Sequence, residues 1–158
     1  MSNQKTFFSL LLILILSILL TTIFFRPTDI LSDDPIYSDD YAMHYSQCLS
    51  FKRFFSSAGE SWGYDPYLLA GFPRQTLANA DNKGWEVLFF LLSPILGNGL
   101  AFKFFILSFL LTYPFMIYAA ARNFKLSRET SLISAGLAIL YFHSSLAIDF
   151  VFNGMASY

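Results

Sequence analysis

Charged residues are scarce in this chain. Lysine, arginine, aspartate and glutamate make up 13% of its 158 residues, about half of what soluble domains usually carry. The formal net charge is -1, so the chain lacks the basic surplus that binding to nucleic-acid phosphates requires. Hydrophobic residues make up 55% of the chain, and the mean hydropathy is +0.51. This composition indicates a protein that has lipid as part of its solvent and no nucleic-acid partner.

Cysteine and several signature motifs are also missing. Cys48 is the single cysteine, which excludes an intramolecular disulfide and a cysteine-based zinc site in this stretch. The sequence contains no Walker loop, no Gly-x-Gly-x-x-Gly and no His-Glu-x-x-His. ATP-driven pumping, dinucleotide redox chemistry and zinc-protease chemistry therefore have no support here.

The first long apolar run extends from Phe7 to Phe25 and contains no charge; Leu, Ile and Phe fill 15 of its 19 positions. As a helix it is about 28 Å long, close to the thickness of the hydrocarbon core of a bilayer. A cleavable signal peptide is the alternative, but such a peptide ends at a small-x-small site. This run ends Ile23-Phe24-Phe25-Arg26-Pro27, so we predict an uncleaved membrane anchor at residues 7–25.

Two further runs are candidates for membrane spans. Residues 100–121 form the second, with Lys103 placed to reach the headgroups and Pro114 predicting a kink. Residues 131–148 form the third, which is weaker because four serines and one glycine dilute it. The sequence therefore predicts an all-α membrane protein with three transmembrane helices, a short loop at residues 122–130 and a long first loop at residues 26–99.

The charges of the connecting segments predict the orientation. Four basic residues flank the spans on one side, which indicates that this side is cytoplasmic: Lys5, Arg122, Lys125 and Arg128. The long loop carries nine carboxylates against five basic residues, so we predict that it is extracytoplasmic. The protein is then a multi-pass protein of the cell inner (plasma) membrane with a cytoplasmic N-terminus. Because the last residues follow an apolar segment directly, we also expect an N-terminal part of a longer polytopic protein.

The long loop contains segments with local order. Tyr41 to about Ser57 lacks Pro and Gly, which predicts an amphipathic helix that rests on the bilayer or on neighbouring helices and ends at Gly59. The stretches around Asp65-Pro66 and Gly71-Phe72-Pro73-Arg74 carry turn chemistry. Trp85 to Leu96 is too short to span and contains Pro94, so we predict a second interfacial or re-entrant helix that the proline breaks.

An acidic pair and a histidine stand near the start of this loop. Asp39 and Asp40 are adjacent, and His44 follows one helical turn beyond Asp40. This pattern can build a general base or a cation site, with oxygen ligands suiting Mg²⁺, Mn²⁺ or Ca²⁺ and the imidazole shifting the preference toward Mn²⁺ or Zn²⁺. The alternative is that Asp40 only caps a helix that begins at Tyr41.

Other polar and aromatic groups receive plainer interpretations. Asp29, Asp33 and Asp34 are interpreted as solvated loop charges, and Asp65 before Pro66 as a turn residue. A set of aromatic residues favours interfacial anchoring over sugar stacking, although the two roles are compatible: Trp62, Tyr64, Tyr67 and Trp85.

Near the end of the chain, His143 within a predicted span is a functional candidate, with a hydrogen bond to a neighbouring serine as the alternative. Asp149 and Asn153, four residues apart, fit either extra polar ligands or helix caps.

The order of these features resembles the GT-C class of membrane glycosyltransferases. Residues Ser38–His44 and Trp62–Pro73 resemble the first loop of large bacterial membrane proteins of the YfhO-like kind, which carry a similar Asp-x-x-x-His stretch and a similar Trp-Asp-Pro-Tyr-x-x-x-Gly turn. This sequence departs by placing Gly63-Tyr64 between the tryptophan and the aspartate. The resemblance covers roughly residues 7–121.

The resemblance implies a reaction and a set of residues. In that class an acidic residue of the first loop acts as catalytic base or helps to bind a metal, which implies Asp39 or Asp40 here. His44, Tyr64 and Asp65 would then bind substrate, and Asp40 with His44 would bind a divalent cation such as Mg²⁺ or Mn²⁺. The implied partners are membrane lipid and a polyprenyl-phosphate-linked sugar donor, whose sugar passes to an extracytoplasmic acceptor. The alternative is a non-enzymatic polytopic membrane protein, for transport or envelope assembly, with a solvated acidic loop.

Overall fold

The computed structural model describes residues 3–36, 40–66, 71–74, 83–145, 147 and 149. They form two compact units, one from residues 3–30 and 106–149 and the other from residues 31–105. The described part of the chain contains six helices and one two-stranded antiparallel sheet: α1 (Asn3–Phe24), α2 (Pro27–Leu31), α3 (Asp40–Ala58), β1 (Gly63–Asp65), β2 (Phe72–Arg74), α4 (Lys83–Leu96), α5 (Asn98–Asn123) and α6 (Arg128–Phe142). Helix α5 contributes residues to both units.

Two helices are long and apolar enough to cross a membrane. Helix α1 has 22 residues and α5 has 26, which correspond to about 33 Å and 39 Å of helix. They contain the runs at residues 7–25 and 100–121 almost completely, and α5 continues through Pro114 without interruption. The two helices support the interpretation of the chain as a membrane protein.

The third predicted span, residues 131–148, is not confirmed. Helix α6 has 15 residues and ends at Phe142, so it covers only about 22 Å. Its end is defined by a cap, because the backbone N–H groups of His143 and Ser144 donate to the carbonyls of Ile139 and Tyr141 at 3.0 Å. A third span at these residues remains a prediction.

In the first unit, α1 packs against α6. Ile13 of α1 meets Ala135 and Ile139 of α6, and these three side chains are buried together. The small side chain of Ala135 lets the two helix backbones approach, which is how helices pack where lipid supplies no hydrophobic driving force. Ser17 is also buried. Its hydroxyl donates a hydrogen bond to the carbonyl of Ile13 at 2.9 Å, so the buried hydroxyl has a partner within α1.

In the second unit, α3 packs against α4 around Trp85. The indole is 1% exposed, and it stacks on Phe102 at 4.7 Å and on Phe105 at 4.9 Å between ring centroids. Its Nε1 donates to the carbonyl of Phe102 at 3.1 Å. The prediction that Trp85 anchors at the membrane interface is therefore wrong, because its polar atom is satisfied inside the protein and its ring lies away from the surface.

Within the segment predicted as a long loop, the described residues form helices and a β-hairpin. The helix predicted from Tyr41 to Ser57 is α3, and Gly59, with a φ of +70°, follows its last residue. Pro94 does not end α4, which continues to Leu96 and stops before Gly97 with a φ of +84°. A proline this close to the end of a helix removes only one hydrogen bond and leaves the last turn intact.

The β-hairpin was not predicted. The residue pattern of both stretches indicates turns, whereas β1 and β2 pair in register from Gly63 opposite Arg74 to Asp65 opposite Phe72. Strands of three residues give too little alternation for a strand to be recognised from the sequence. The hairpin lies tightly on α3, since a Cβ added to Gly63 would come within 2.6 Å of the Phe54 ring.

Asp33 is exposed, as expected, but it also has a structural role that the sequence did not predict. Its Oδ1 accepts hydrogen bonds from the backbone N–H groups of Gly99 at 2.9 Å and Leu100 at 3.3 Å. These are among the donors at the start of α5 that lack a partner within the helix. Next to it, Lys103 is 2% exposed, and its Nζ donates to the carbonyl of Ser32 at 2.6 Å. Lys103 therefore does not reach the headgroups as predicted.

We expect Asp33→Ala to lower the free energy of unfolding by about 1 kcal/mol, because two N–H groups at the start of α5 lose their acceptor. Asp33→Asn keeps an acceptor oxygen and should lose less. The matched control is Asp34→Ala, which removes a neighbouring exposed carboxylate. Chemical unfolding of the protein in detergent, followed by tryptophan fluorescence, measures the difference. Equal effects of Asp33→Ala and Asp34→Ala would contradict the capping role.

Candidate functional site

The predicted acidic pair lies at the start of α3. Asp39 lies outside the described residues, and Asp40 is the first residue of the helix, with a partly exposed side chain. The next side chain, Tyr41, is fully buried and meets Trp85 edge-on at 6.1 Å. Aromatic packing therefore holds the start of α3, and Asp40 directly precedes the packed Tyr41 side chain.

His44 lies one turn further along α3, but in a different environment. Its side chain is 1% exposed, and the ring lies 5.2 Å from that of Trp85 between centroids. The Nδ1 atom is 3.3 Å from Oε1 of Gln47. These contacts orient the imidazole within the aromatic packing.

Metal binding by these residues remains a prediction. Among the residues that the structure describes, no group of three His, Cys, Asp or Glu side chains is arranged to hold a metal ion. Asp40 and His44 alone would supply two side chains, and water or substrate would have to fill the remaining positions around Mg²⁺ or Mn²⁺.

Asp65 is the centre of a buried ionic cluster. Its Oδ2 lies 3.4 Å from Nη1 of Arg74 and 3.0 Å from Nη2 of Arg53. Ser50 of α3 joins the cluster, accepting from Nη1 of Arg74 at 3.0 Å, and Ser46 accepts from Nη2 of the same guanidinium. The interpretation of Asp65 as a turn residue is wrong, because it is the last residue of β1 and 5% exposed.

The register of the hairpin explains this cluster. Asp65 lies opposite Phe72 and Gly63 opposite Arg74, so Asp65 and Arg74 stand diagonally on the same face of the ribbon. That face is turned to α3, where Ser46 and Ser50 are four residues apart and therefore adjacent on the helix surface. The cluster thus fixes the hairpin to α3.

Tyr64 lies on the other face of β1. It is 63% exposed, as the alternation of side chains along a strand requires. Its ring lies over Gly71, where an added Cβ would come within 1.8 Å of the phenol oxygen. The structure thus separates Tyr64 and Asp65, which were predicted to bind substrate together, onto opposite faces of the hairpin.

A serine motif lies between the end of α3 and the start of β1. Residues Gly59-Glu60-Ser61-Trp62-Gly63 match the pattern Gly-x-Ser-x-Gly. In hydrolases the serine of this motif sits on a sharp turn from a strand into a helix. Here the chain passes from a helix into a strand, so the context of a nucleophile elbow is missing and the match carries no catalytic argument.

A second buried carboxylate, Glu86, was also missed. Its side chain is fully buried and lies 2.9 Å from Nζ of Lys83, one turn earlier on α4. Cys48 of α3 is buried as well, and burial raises the pKa of its thiol, with the Glu86 carboxylate adding to the effect. A charged residue within an apolar run such as Trp85–Leu96 is the signal that would have pointed to Glu86.

We expect Arg74→Gln to lower the free energy of unfolding by about 1–3 kcal/mol, because it removes a buried charged partner of the Asp65 carboxylate while Arg53 remains. The matched control is Arg53→Gln. The Arg53 side chain is 48% exposed, so its loss should cost about 1 kcal/mol or less. Chemical unfolding of both variants in detergent tests this order. Equal losses would show that Asp65 does not depend on its buried partner.

We expect the Cys48 thiol to react slowly with iodoacetamide at about pH 8.5 in the folded protein and rapidly after unfolding, because only the thiolate reacts and burial raises the pKa. Above about pH 8.5 the thiol of the unfolded chain loses its proton, whereas the folded protein keeps it. Stability should therefore fall as the pH rises above that value, and Cys48→Ala should reduce the slope. Rapid labelling of the folded protein would contradict the burial of Cys48.

Comparison of this chain with protein-family models, with curated proteins and with solved structures finds no significant match.

Proposed function

We propose that the chain belongs to a membrane glycosyltransferase of the GT-C type, which transfers a sugar from a polyprenyl-phosphate-linked donor to an extracytoplasmic acceptor. The observation that carries the proposal is the position of Asp40. It is a partly exposed carboxylate at the start of α3, a helix that lies in the sequence between the two helices long enough to cross a membrane. The Ser38–His44 stretch resembles the first loop of YfhO-like membrane proteins, and the resemblance to the GT-C class implies Asp39 or Asp40 as the base.

In the proposed reaction Asp40 acts as general base. Its carboxylate takes the proton of the acceptor hydroxyl, the hydroxyl oxygen bonds to the anomeric carbon, and the bond from that carbon to the donor phosphate breaks. The leaving group is the polyprenyl phosphate, which carries the electron pair of the broken bond. Asp39 is the second candidate for the base, since it directly precedes Asp40 in the sequence.

The other predicted residues receive different roles. His44 is buried against Trp85, so we assign it to positioning the first turns of α3 rather than to binding substrate. Tyr64 presents an exposed ring, which suits stacking on the apolar face of a sugar. Asp65 has two guanidinium partners and is assigned to holding the hairpin. We also propose that the protein lies in the inner membrane, with a cytoplasmic N-terminus and a third membrane span.

A non-enzymatic polytopic membrane protein, for transport or envelope assembly, is the second candidate. The observation that favours it is the burial of polar groups in contacts within the protein. Asp65, Glu86 and His44 all have such contacts, and they serve packing as well as they would serve an enzyme. The difference between the two candidates therefore rests on Asp40.

We expect Asp40→Asn to lower the rate of sugar transfer by about 10²–10⁴-fold, because the variant lacks the general base while keeping the shape of the side chain. The measurement uses membranes that contain the intact protein and a radiolabelled polyprenyl-phosphate sugar, with the label followed into acceptor. Asp34→Asn, at an exposed carboxylate nearby in sequence, is the control and should keep full activity.

Transfer that depends on the protein but is unchanged in Asp39→Asn and Asp40→Asn would remove both residues as the base. Absence of any protein-dependent transfer would favour the non-enzymatic candidate.

A further inference from the structure

A cavity of about 420 Å³ lies at one end of the unit that contains α1 and α6. Three helices form it: the first turns of α1, the last turns of α5 and the start of α6. Its lining has a polar and an apolar part. The polar part includes Asn3, Arg122 and Arg128, and the apolar part is formed by Phe7, Leu10 and Tyr118.

The polar part carries positive charge. Arg122 is in the last turn of α5 and Arg128 is the first residue of α6, so two guanidinium groups border one cavity. Nη1 of Arg128 donates to Oδ1 of Asn3 at 2.6 Å, and Nη1 of Arg122 donates to the carbonyl of Leu126. These bonds hold the two side chains in place, and each guanidinium carries five N–H donors in a fork that matches phosphate oxygens.

The sequence around the cavity strengthens this charge. Lys5 on α1 and Lys125 between α5 and α6 add two basic residues, and Glu129 is the single acidic residue within residues 3–10 and 118–130. The excess is therefore three positive charges at one end of the helices. Such an excess attracts anionic lipid headgroups, because each basic residue near the membrane surface adds to the free energy of binding.

The apolar part fits the other half of a lipid. Phe7 is exposed at the edge of the cavity, and the exposed side chains of Leu11 and Ile15 continue along the same helix. They lie at intervals of four residues and so form one stripe on α1. Because α1 and α5 are long and apolar enough to cross a membrane, acyl chains would lie along this stripe while the headgroup phosphate meets the arginines.

We propose that the cavity between α1, α5 and α6 binds the headgroup of an anionic phospholipid, with Arg122 and Arg128 contacting its phosphate. The site is independent of the proposed transfer reaction, since it uses none of the residues assigned to that reaction. It requires only that these helices lie in a membrane.

The test titrates the intact protein, purified in detergent, with short-chain phosphatidylglycerol, and native mass spectrometry measures the bound fraction. Phosphatidylcholine and inorganic phosphate are titrated in parallel. We expect phosphatidylglycerol to bind more tightly than phosphatidylcholine, and inorganic phosphate not to displace it. Arg122→Gln and Arg128→Gln should each weaken the binding of phosphatidylglycerol by about fivefold, and the double variant should bind both lipids alike.

The matched control is Arg26→Gln, which removes an exposed arginine after the other end of α1 and should leave the affinity unchanged. Arg122→Lys and Arg128→Lys keep the charge and should retain most of the binding even if a glutamine variant does not fold. Equal binding of the two lipids by the unsubstituted protein would overturn the proposal. An equal loss in Arg26→Gln, or displacement of the lipid by inorganic phosphate, would do the same.

Discussion

The burial of Trp85 is the constraint on which the unit of residues 31–105 depends. Its indole ring stacks on Phe102 and Phe105 and is met edge-on by Tyr41. These contacts join the start of α3, the start of α4 and the first turns of α5. Large aromatic rings bury much area with little loss of side-chain freedom, so one tryptophan can fix the relative positions of three helices. The exposure of Asp40 at the start of α3 follows from this arrangement.

Several charged side chains are buried in the described part of the structure. An apolar chain with few charges places several of them inside, and each has a partner: Asp65 with Arg74, Glu86 with Lys83, and Lys103 with Ser32. A charge taken out of water without a partner costs several kcal/mol. The pairs therefore restrict how the hairpin and the helices can pack, even though a pair contributes little net stability. Asp65, expected from the resemblance to bind substrate, therefore has a structural role in the fold.

Much of the secondary structure could be predicted from local patterns. The long apolar runs are α1 and α5, the stretch without Pro or Gly is α3, and Gly59 follows its end. The hairpin could not be predicted, since three residues per strand give no readable period. Of the candidate site, the position of Asp40 at the start of a helix agrees with the prediction. The burial of His44 does not follow from the sequence, because it depends on Trp85, 41 residues further along the chain.

The sequence by itself determined the apolar helices, because hydrophobicity and the absence of helix breakers act over neighbouring residues. Only the tertiary structure decided which charges have partners within the protein. Asp33 and Asp34 are adjacent and chemically identical, yet Asp33 caps a helix that begins 65 residues later. Asp65 precedes a proline as a turn residue would, yet a hairpin partner and α3 enclose it. The partners of these charges are distant in the chain, so the residues next to a charge in the sequence do not indicate what surrounds it in the fold.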